Sequence, residues 1–408
     1  MSSSAKVISP ARKLDIAWVR QQFPALQQSV TGQPAVFFDA PGGTQVPQRV
    51  IDAIANYLAS SNANTGGAFV TSRSTDQVIA DARAAMADFF NCSPEEVVFG
   101  ANMTTLTFAL SRAIGRELKA GDELLVTCLD HDANVSPWVC LEERGVKVRT
   151  ADVHPTDCTL DMFDLSAKIR RNTRLVAVGW AANAVGTIND VSEVVRLAHE
   201  AGAMAFIDAV HYAPHGPIDV RALDCDFLVC SSYKFFGPHL GILYGKREQL
   251  QRLRPYKLRA CSEQLPDRWE TGTQNHEGLA GLIAAIDYIA DAGRHHDPSA
   301  STRREAIRAA YDVFRQHERE LLELLISGLL AIPGLTFYGI KDPAKLNERT
   351  PTVAIRMANR SPRDLAVYLG EQGIFTWDGN YYAIDLAERL GVQQSGGMLR
   401  IGLAHYNT

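Results

Sequence analysis

Two apolar runs in this chain end on residues that can do chemistry. Phe227 to Cys230 reads as a buried strand, and it gives way to Ser231, Ser232, Tyr233 and Lys234 before a Gly-Pro turn at Gly237-Pro238. Upstream, Ala203 to Ile207 is a second apolar run, and it ends on Asp208. Parallel α/β sheets gather their ligand sites at the carboxyl ends of strands. An amine and a carboxylate on two such ends meet the needs of pyridoxal phosphate: the amine forms a Schiff base, and the carboxylate faces the pyridinium nitrogen. Taken singly, Lys234 is a surface lysine and Asp208 a helix cap. Taken together, they point to the cofactor.

Further residues have the types such a site needs. Phe99 to Leu106 supplies a strand, a small-residue turn and then Thr104-Thr105 at the start of a helix. Free N–H groups and the helix dipole there favour a phosphate, although the same residues also make a plain N-cap. Ser231 and Tyr233 add hydroxyls beside the lysine. His131 follows the strand Glu123 to Thr127, where its ring can stack on a pyridine or cap the next helix. Asn183 ends another strand, where it can donate to the cofactor's phenolic oxygen or serve as a turn residue. His295 and His296 lie in a polar stretch without partners, so they are assigned no metal.

These side chains require a scaffold of alternating strands and helices. Strands are expected at Glu96–Gly100, Glu123–Thr127, Val146–Thr150 and Arg174–Trp180, with helices at Thr104–Arg116, Val135–Glu143 and Val191–Ala201. That alternation implies a mostly parallel sheet covered on both faces. Helices follow at Gly278–Ala292 and, longer, at Thr302–Ala331. The pattern then turns α+β, with strands near Leu335, Thr352 and Leu399 and a helix over Pro362–Gln372. The expected division is an N-terminal segment, 1–36, packed with the small domain through a helix near Leu14 to Gln22. A large domain, 37–292, and a small α+β C-terminal domain, 293–408, complete it.

Composition excludes several functions. The chain has 408 residues, 46% hydrophobic and 21% charged, and a net charge of −5. With no basic run, this balance argues against nucleic acid or an anionic membrane as partner. No apolar stretch reaches the roughly 20 residues of a membrane span. Met1 to Lys6 lacks the apolar core of a secretory signal. The seven cysteines are scattered without a CxxC pair, and most are expected to be reduced core residues. A cytoplasmic protein is expected.

Several blocks together resemble the cysteine desulfurase and selenocysteine lyase branch of the class V aminotransferase family. They are Phe37 to Gln45, Asn62-Ala-Asn64, His131 to Asn134, Asn183 to Gly186, Asp208, Ser231 to Lys234, Arg268 to Asn275 and Arg400 to Thr408. The resemblance implies a fold type I pyridoxal phosphate enzyme with a seven-stranded, mostly parallel sheet. It implies Lys234 as the Schiff-base lysine, Asp208 on the pyridinium, His131 stacked on the ring and Arg400 on the substrate carboxylate. It also implies a homodimer with active sites at the interface, in which Thr273 reaches the phosphate held by the neighbouring subunit.

Three departures qualify the resemblance. The stretch Gly373 to Leu386 lacks the loop cysteine that accepts sulfur in the desulfurases, and Tyr382 falls at or near its place. A phenol cannot take up sulfur as a thiolate does. His211 stands where these enzymes usually have a glutamine near the phenolic oxygen, and Tyr233 where they have a histidine. The chain stops at Thr408 where relatives continue with a helix, so truncation is expected. The expected activity is a carbon–sulfur lyase acting on an L-amino acid by β-elimination. An aminotransferase, an epimerase, sulfur transfer through another thiol such as Cys261, and a non-catalytic module are the alternatives.

Overall fold

The computed structural model describes residues 13–408, so the Met1–Lys6 start lies outside the described residues. Its centre is a seven-stranded sheet. In chain order the strands are β1 (Val97–Gly100), β2 (Glu123–Thr127), β3 (Lys147–Ala151), β4 (Thr173–Gly179), β5 (Met204–Asp208), β6 (Phe227–Ser231) and β7 (Gly241–Gly245). Across the sheet the order is β1-β7-β6-β5-β4-β2-β3. Only β7 runs antiparallel to its neighbours, so the sheet is mostly parallel, as expected. Helices cover both faces, and β2, β6 and β7 are therefore buried at every residue.

Register brings the chemical residues to one edge of this sheet. Asp208 pairs with Gly179 on one side and Val229 on the other. Ser231 pairs with Gly241, and Gly241 with Gly100. The loops after β1, β5 and β6 thus open at the same end. Gly241 must lack a side chain, because a Cβ there would meet the Asn102 backbone at 2.3 Å. Its absence lets the helix after β1 begin directly on the sheet.

The described helices of ten or more residues are α1 (Gln48–Ser60), α2 (Val70–Phe90), α3 (Met103–Ile114), α4 (Val191–Glu200), α5 (His276–His296), α6 (Arg303–Leu330) and α7 (Pro362–Glu371). The Ala-, Gly- and Ile-rich face of α5 lies against α1, α2 and α6. At the α5–α6 crossing a Cβ on Gly293 would lie 1.8 Å from the Ala306 carbonyl oxygen. Beyond α6 a second sheet forms from β8 (Leu335–Tyr338), β9 (Thr352–Met357), β10 (Trp377–Gly379) and β11 (Met398–Gly402), in the order β8-β9-β11-β10. Its strand β11 carries Arg400.

The structure differs from the sequence-based expectation in several elements. Helices α1 and α2 and strand β7 were not anticipated. The expected helix over Val135–Glu143 is broken into Ser136–Val139 and a 3-10 turn, Cys140–Arg144, which Gly145 ends at φ +78°. Near the N-terminus the helix is Ile16–Gln21. There Trp18 stacks on His295 of α5 at 5.0 Å, and Arg20 donates to the Tyr406 carbonyl at 2.8 Å. All seven cysteines are free. No described helix is long and apolar enough to cross a membrane.

Candidate active site

The strand ends enclose a cavity of about 510 Å³. Lys234, Asp208, His131, Arg400, Thr104, Asn183, His211, Ser231 and Tyr233 all line it. Thr105 and Thr273 do not. As the third residue of α3, Thr105 is capped by the Asn102 side chain at its amide (2.9 Å). Its hydroxyl turns back to the Asn102 carbonyl, also at 2.9 Å. Thr273 sits in an exposed loop away from this chain's own cavity.

One end of the cavity is built for an anion. Asn102 is the N-cap of α3, the Met103 amide donates to Ser231 Oγ at 3.0 Å, and Asn102 takes the Thr105 amide. The Thr104 amide has no hydrogen-bond partner among the described residues. An unpaired N–H at the start of a twelve-residue helix is a phosphate donor.

The lysine follows β6 by three residues, in the 3-10 turn Ser232–Lys234. Lys234 Nζ donates to the Pro41 carbonyl and sits 5.0 Å from the Tyr233 ring centre. Burial, followed by the nearby Arg400 charge, lowers its pKa to about 7. Near neutral pH a substantial fraction of the amine is therefore unprotonated and able to act as a nucleophile. The Tyr233 ring itself stacks on His239 at 4.9 Å.

The acid is not alone. Asp208 is buried, accepts from the Val210 amide at 2.8 Å, and has its pKa raised to about 6 by burial. Asp130, which nothing in the local sequence singles out, also lines the cavity. Its carboxyl accepts from the Gly179 amide at 2.6 Å and from Asn134 Nδ2 at 3.3 Å. Burial, then the Asp208 charge, raises its pKa to about 8. Since Gly179 pairs with Asp208 in the sheet, the two carboxyls flank the same strand end.

His131 takes the capping role that the sequence allowed. Its Nδ1 accepts from the Ala133 amide at 3.0 Å, capping the following turn, while its ring faces the cavity. The imidazole is neutral because burial, then Lys234, lowers its pKa to about 4. His211 is buried with Nε2 3.2 Å from Thr350 Oγ1, and burial holds its pKa far below the usual value.

Arg400 enters from β11. Its Nη1 donates to the Asn183 carbonyl at 2.8 Å, and Asn183 Nδ2 donates to the Tyr381 carbonyl at 2.8 Å. Arg400 Nε and Asn183 Oδ1 are buried without partners. Unpaired buried groups of this kind are costly unless a ligand meets them. The free Thr104 amide, the lowered lysine, the strand-end carboxyl and these two groups fit pyridoxal phosphate carrying an amino acid.

Comparison with known proteins agrees. The family model for class V aminotransferases matches residues 36–408. The chain is 33% identical over 407 residues to a cysteine desulfurase of Pectobacterium atrosepticum, covering 96% of this chain and 93% of that one. It is 32% identical over 415 residues to a cysteine desulfurase of Dickeya dadantii, covering 98% and 94%. The S-sulfonic acid form of an Escherichia coli cysteine desulfurase superposes with a TM-score of 0.83 at 26% identity, over 97% of this chain and 95% of that one. The apo cysteine desulfurase of Thermococcus onnurineus, at 24% identity and over 97% and 95%, shares the fold with a TM-score of 0.85. With its strand-end lysine and acid inside that fold, the chain belongs to the class V aminotransferase family and is a cysteine desulfurase-like, pyridoxal phosphate-dependent enzyme.

Proposed function

We propose that the enzyme is a carbon–sulfur lyase that eliminates sulfur directly from a cysteine-type L-amino acid. The observation that carries this reading is the make-up of the cavity wall, in which no cysteine appears among the described residues. The stretch that carries the sulfur acceptor in desulfurases contributes Trp377, Tyr381 and Tyr382 to that wall instead. Of the other thiols, Cys128 is buried with its pKa raised to about 12, and Cys261 lies outside the cavity. A persulfide route needs a thiolate within reach of the substrate.

Pyridoxal phosphate supplies, when bound, a ring that stabilises negative charge at the substrate's α-carbon. Lys234 would hold the cofactor and, once displaced by substrate, take the α-proton on Nζ; a pKa near 7 suits a base at neutral pH. Arg400, with its spare Nε, would orient the α-carboxylate. His131 would lay its neutral ring on the cofactor's face, and Asp208 would meet the ring nitrogen. The Thr104 amide and Ser231 would hold the phosphate. Asn183, His211 and Tyr233 would surround the phenolic oxygen.

The working form in this reading is a homodimer, with Thr273 completing the phosphate site of the neighbouring subunit; the exposed position of its loop supports this. The division into segments 1–36, 37–292 and 293–408 belongs to the same reading. The test is product analysis with L-cysteine and no added thiol. The lyase releases sulfide, pyruvate and ammonia in equal amounts. Alanine with protein-bound sulfur, or amino transfer that depends on an added keto acid, sinks the reading.

A further inference from the structure

The outer wall of the cavity differs in character from its floor. Trp377 is 49% exposed and Tyr382 67% exposed, and both line the mouth. Neither is a loose surface side chain. Trp377 Nε1 donates to the Asp39 carbonyl at 3.2 Å, and the indole lies where a Cβ on residue 42 would sit, 2.2 Å from Nε1. Only glycine at position 42 admits the ring there.

At Tyr382 it is the backbone that is fixed. Both Tyr381 and Tyr382 have left-handed backbones, at φ +57° and +61°. Bulky residues seldom take this conformation, and each instance costs on the order of 1–3 kcal/mol. The turn persists because neighbours fix it. Asp132 N–H donates to the Tyr382 carbonyl at 2.7 Å, the Tyr382 amide donates to Asn380 Oδ1 at 3.0 Å, and Asn183 holds the Tyr381 carbonyl. The result places the Tyr382 ring 5.3 Å from that of His131, tilted by 33°. Backbone strain of this kind clusters at ligand sites.

The charges complete the argument. The cations on the cavity wall, among the described residues, are Lys234 and Arg400, and both lie at the reacting end. The outermost carboxylate, Asp378, is paired with Arg363 at 3.1 Å. A substrate side chain leaving the α-carbon toward the mouth therefore meets aromatic faces and no free cation. A second carboxylate would gain nothing there, whereas an apolar group would bury surface against two rings.

We infer that the side-chain subsite takes an uncharged apolar or aromatic group, with Tyr382 as its specificity-determining residue, so that the substrate is an S-substituted L-cysteine, a thioether. The cleavage of that thioether rests on the lyase reading; the preference for an uncharged side chain does not. In the reaction the Cβ–S bond breaks, and sulfur keeps the electron pair and takes a proton as a free thiol. Water then displaces nitrogen as ammonium, leaving pyruvate. One water is consumed and no oxidant or reductant is required.

The experiment titrates the holoenzyme with S-benzyl-L-cysteine and with S-carboxymethyl-L-cysteine, following the cofactor absorbance for affinity and measuring released thiol and pyruvate separately. The benzyl compound should bind about tenfold more tightly, as burial of one aromatic group against another permits. Tyr382→Ala should collapse that ratio toward one, and Tyr382→Phe, which keeps the ring, should restore it. Equal or reversed affinities in the wild type, or a ratio that Tyr382→Ala leaves intact, overturns the subsite assignment. If the ratio holds but only keto-acid-dependent amino transfer occurs, the subsite stands and the lyase reading falls. If both compounds are cleaved and bind equally well, the lyase reading stands and the subsite falls.

Discussion

Arg400 lies on the face of Tyr381, its Cζ 4.2 Å from the ring centre, while its Nη1 is tied to the Asn183 carbonyl. The ring and the carbonyl fix the fork in one orientation and leave Nε free. Burial lowers the guanidinium pKa to about 10, which still leaves it charged at neutral pH. Lysine cannot reproduce the planar stack or the fork. Arg400→Lys should cost roughly 10–100-fold in kcat/KM, the range expected for one or two charged hydrogen bonds. Steady-state kinetics on the active substrate checks this.

Cofactor capture should depend on pH through Lys234. Its pKa, lowered from 10.5 to about 7, means that the reactive neutral amine appears as pH rises through about 7. The rate at which apoenzyme takes up pyridoxal phosphate should climb between pH 6 and 8, within about one unit of that pKa on either side, and level off above. Absorbance after rapid mixing follows it, and a rate still climbing steeply at pH 10 would contradict the lowered value. Lys234→Ala should abolish both activity and borohydride-fixed cofactor.

Asp130 should make the apoenzyme less stable as pH rises. Its folded pKa, raised from 3.8 to about 8, means that the folded state holds a proton the unfolded chain has released between those values. Stability is then fully present below about pH 4 and is lost as pH rises toward 8. Asp208 and Asp39, each raised to about 6, act in the same direction. Asp130→Asn keeps an oxygen for the Gly179 amide and removes one titration. The fall in urea midpoint between pH 5 and pH 8 should be smaller in that variant.

Gly293 tests the crossing of α5 and α6. An added methyl there meets the Ala306 carbonyl, which is backbone and cannot swing away. Gly293→Ala should destabilise the protein by about 1–3 kcal/mol despite alanine's better helix propensity. Chemical denaturation measures it; a neutral or stabilising result would mean the helices separate freely.

Cys261→Ala should retain most activity. Lys257, the cation beside it, donates to the Cys261 carbonyl and pairs with Glu263 at 2.9 Å, so its charge is already engaged. Loss of sulfur release with cofactor binding intact would instead make Cys261 a sulfur carrier and the direct elimination wrong.

The strands that end on Asp208 and Ser231 were legible because a run buried on both faces is continuously apolar and stops abruptly at a polar residue. The N-terminus of α3 was legible for the same reason. Strand β7 was not: Gly241 to Gly245 is short, bounded by glycines and preceded by Gly237-Pro238, so it reads as an extended turn. Helices α1 and α2 escaped because Ser61 to Gly67 separates them with loop-forming residues and α2 opens on Thr71, Ser72, Ser74 and Thr75. Asp130 stood next to His131 and looked like its neighbour. Its burial depends on Gly179, 49 positions away. The left-handed turn at Tyr381-Tyr382 has no glycine or asparagine at either position to announce it, since tertiary contacts impose it.

The hydrogen bond from the Met103 amide to Ser231 Oγ joins segments 128 residues apart, across strand β7, which lies between their strands. Neither half of the cofactor cradle is local. The chain must therefore assemble β1, β6 and β7 together before the Met103 amide and Ser231 meet, and loop closure over such distances is slow. Bound pyridoxal phosphate then acts as a reporter of complete folding. Its visible absorbance should vanish with the far-ultraviolet helical signal in a single denaturation step, and a fragment ending before Gly241 should remain colourless.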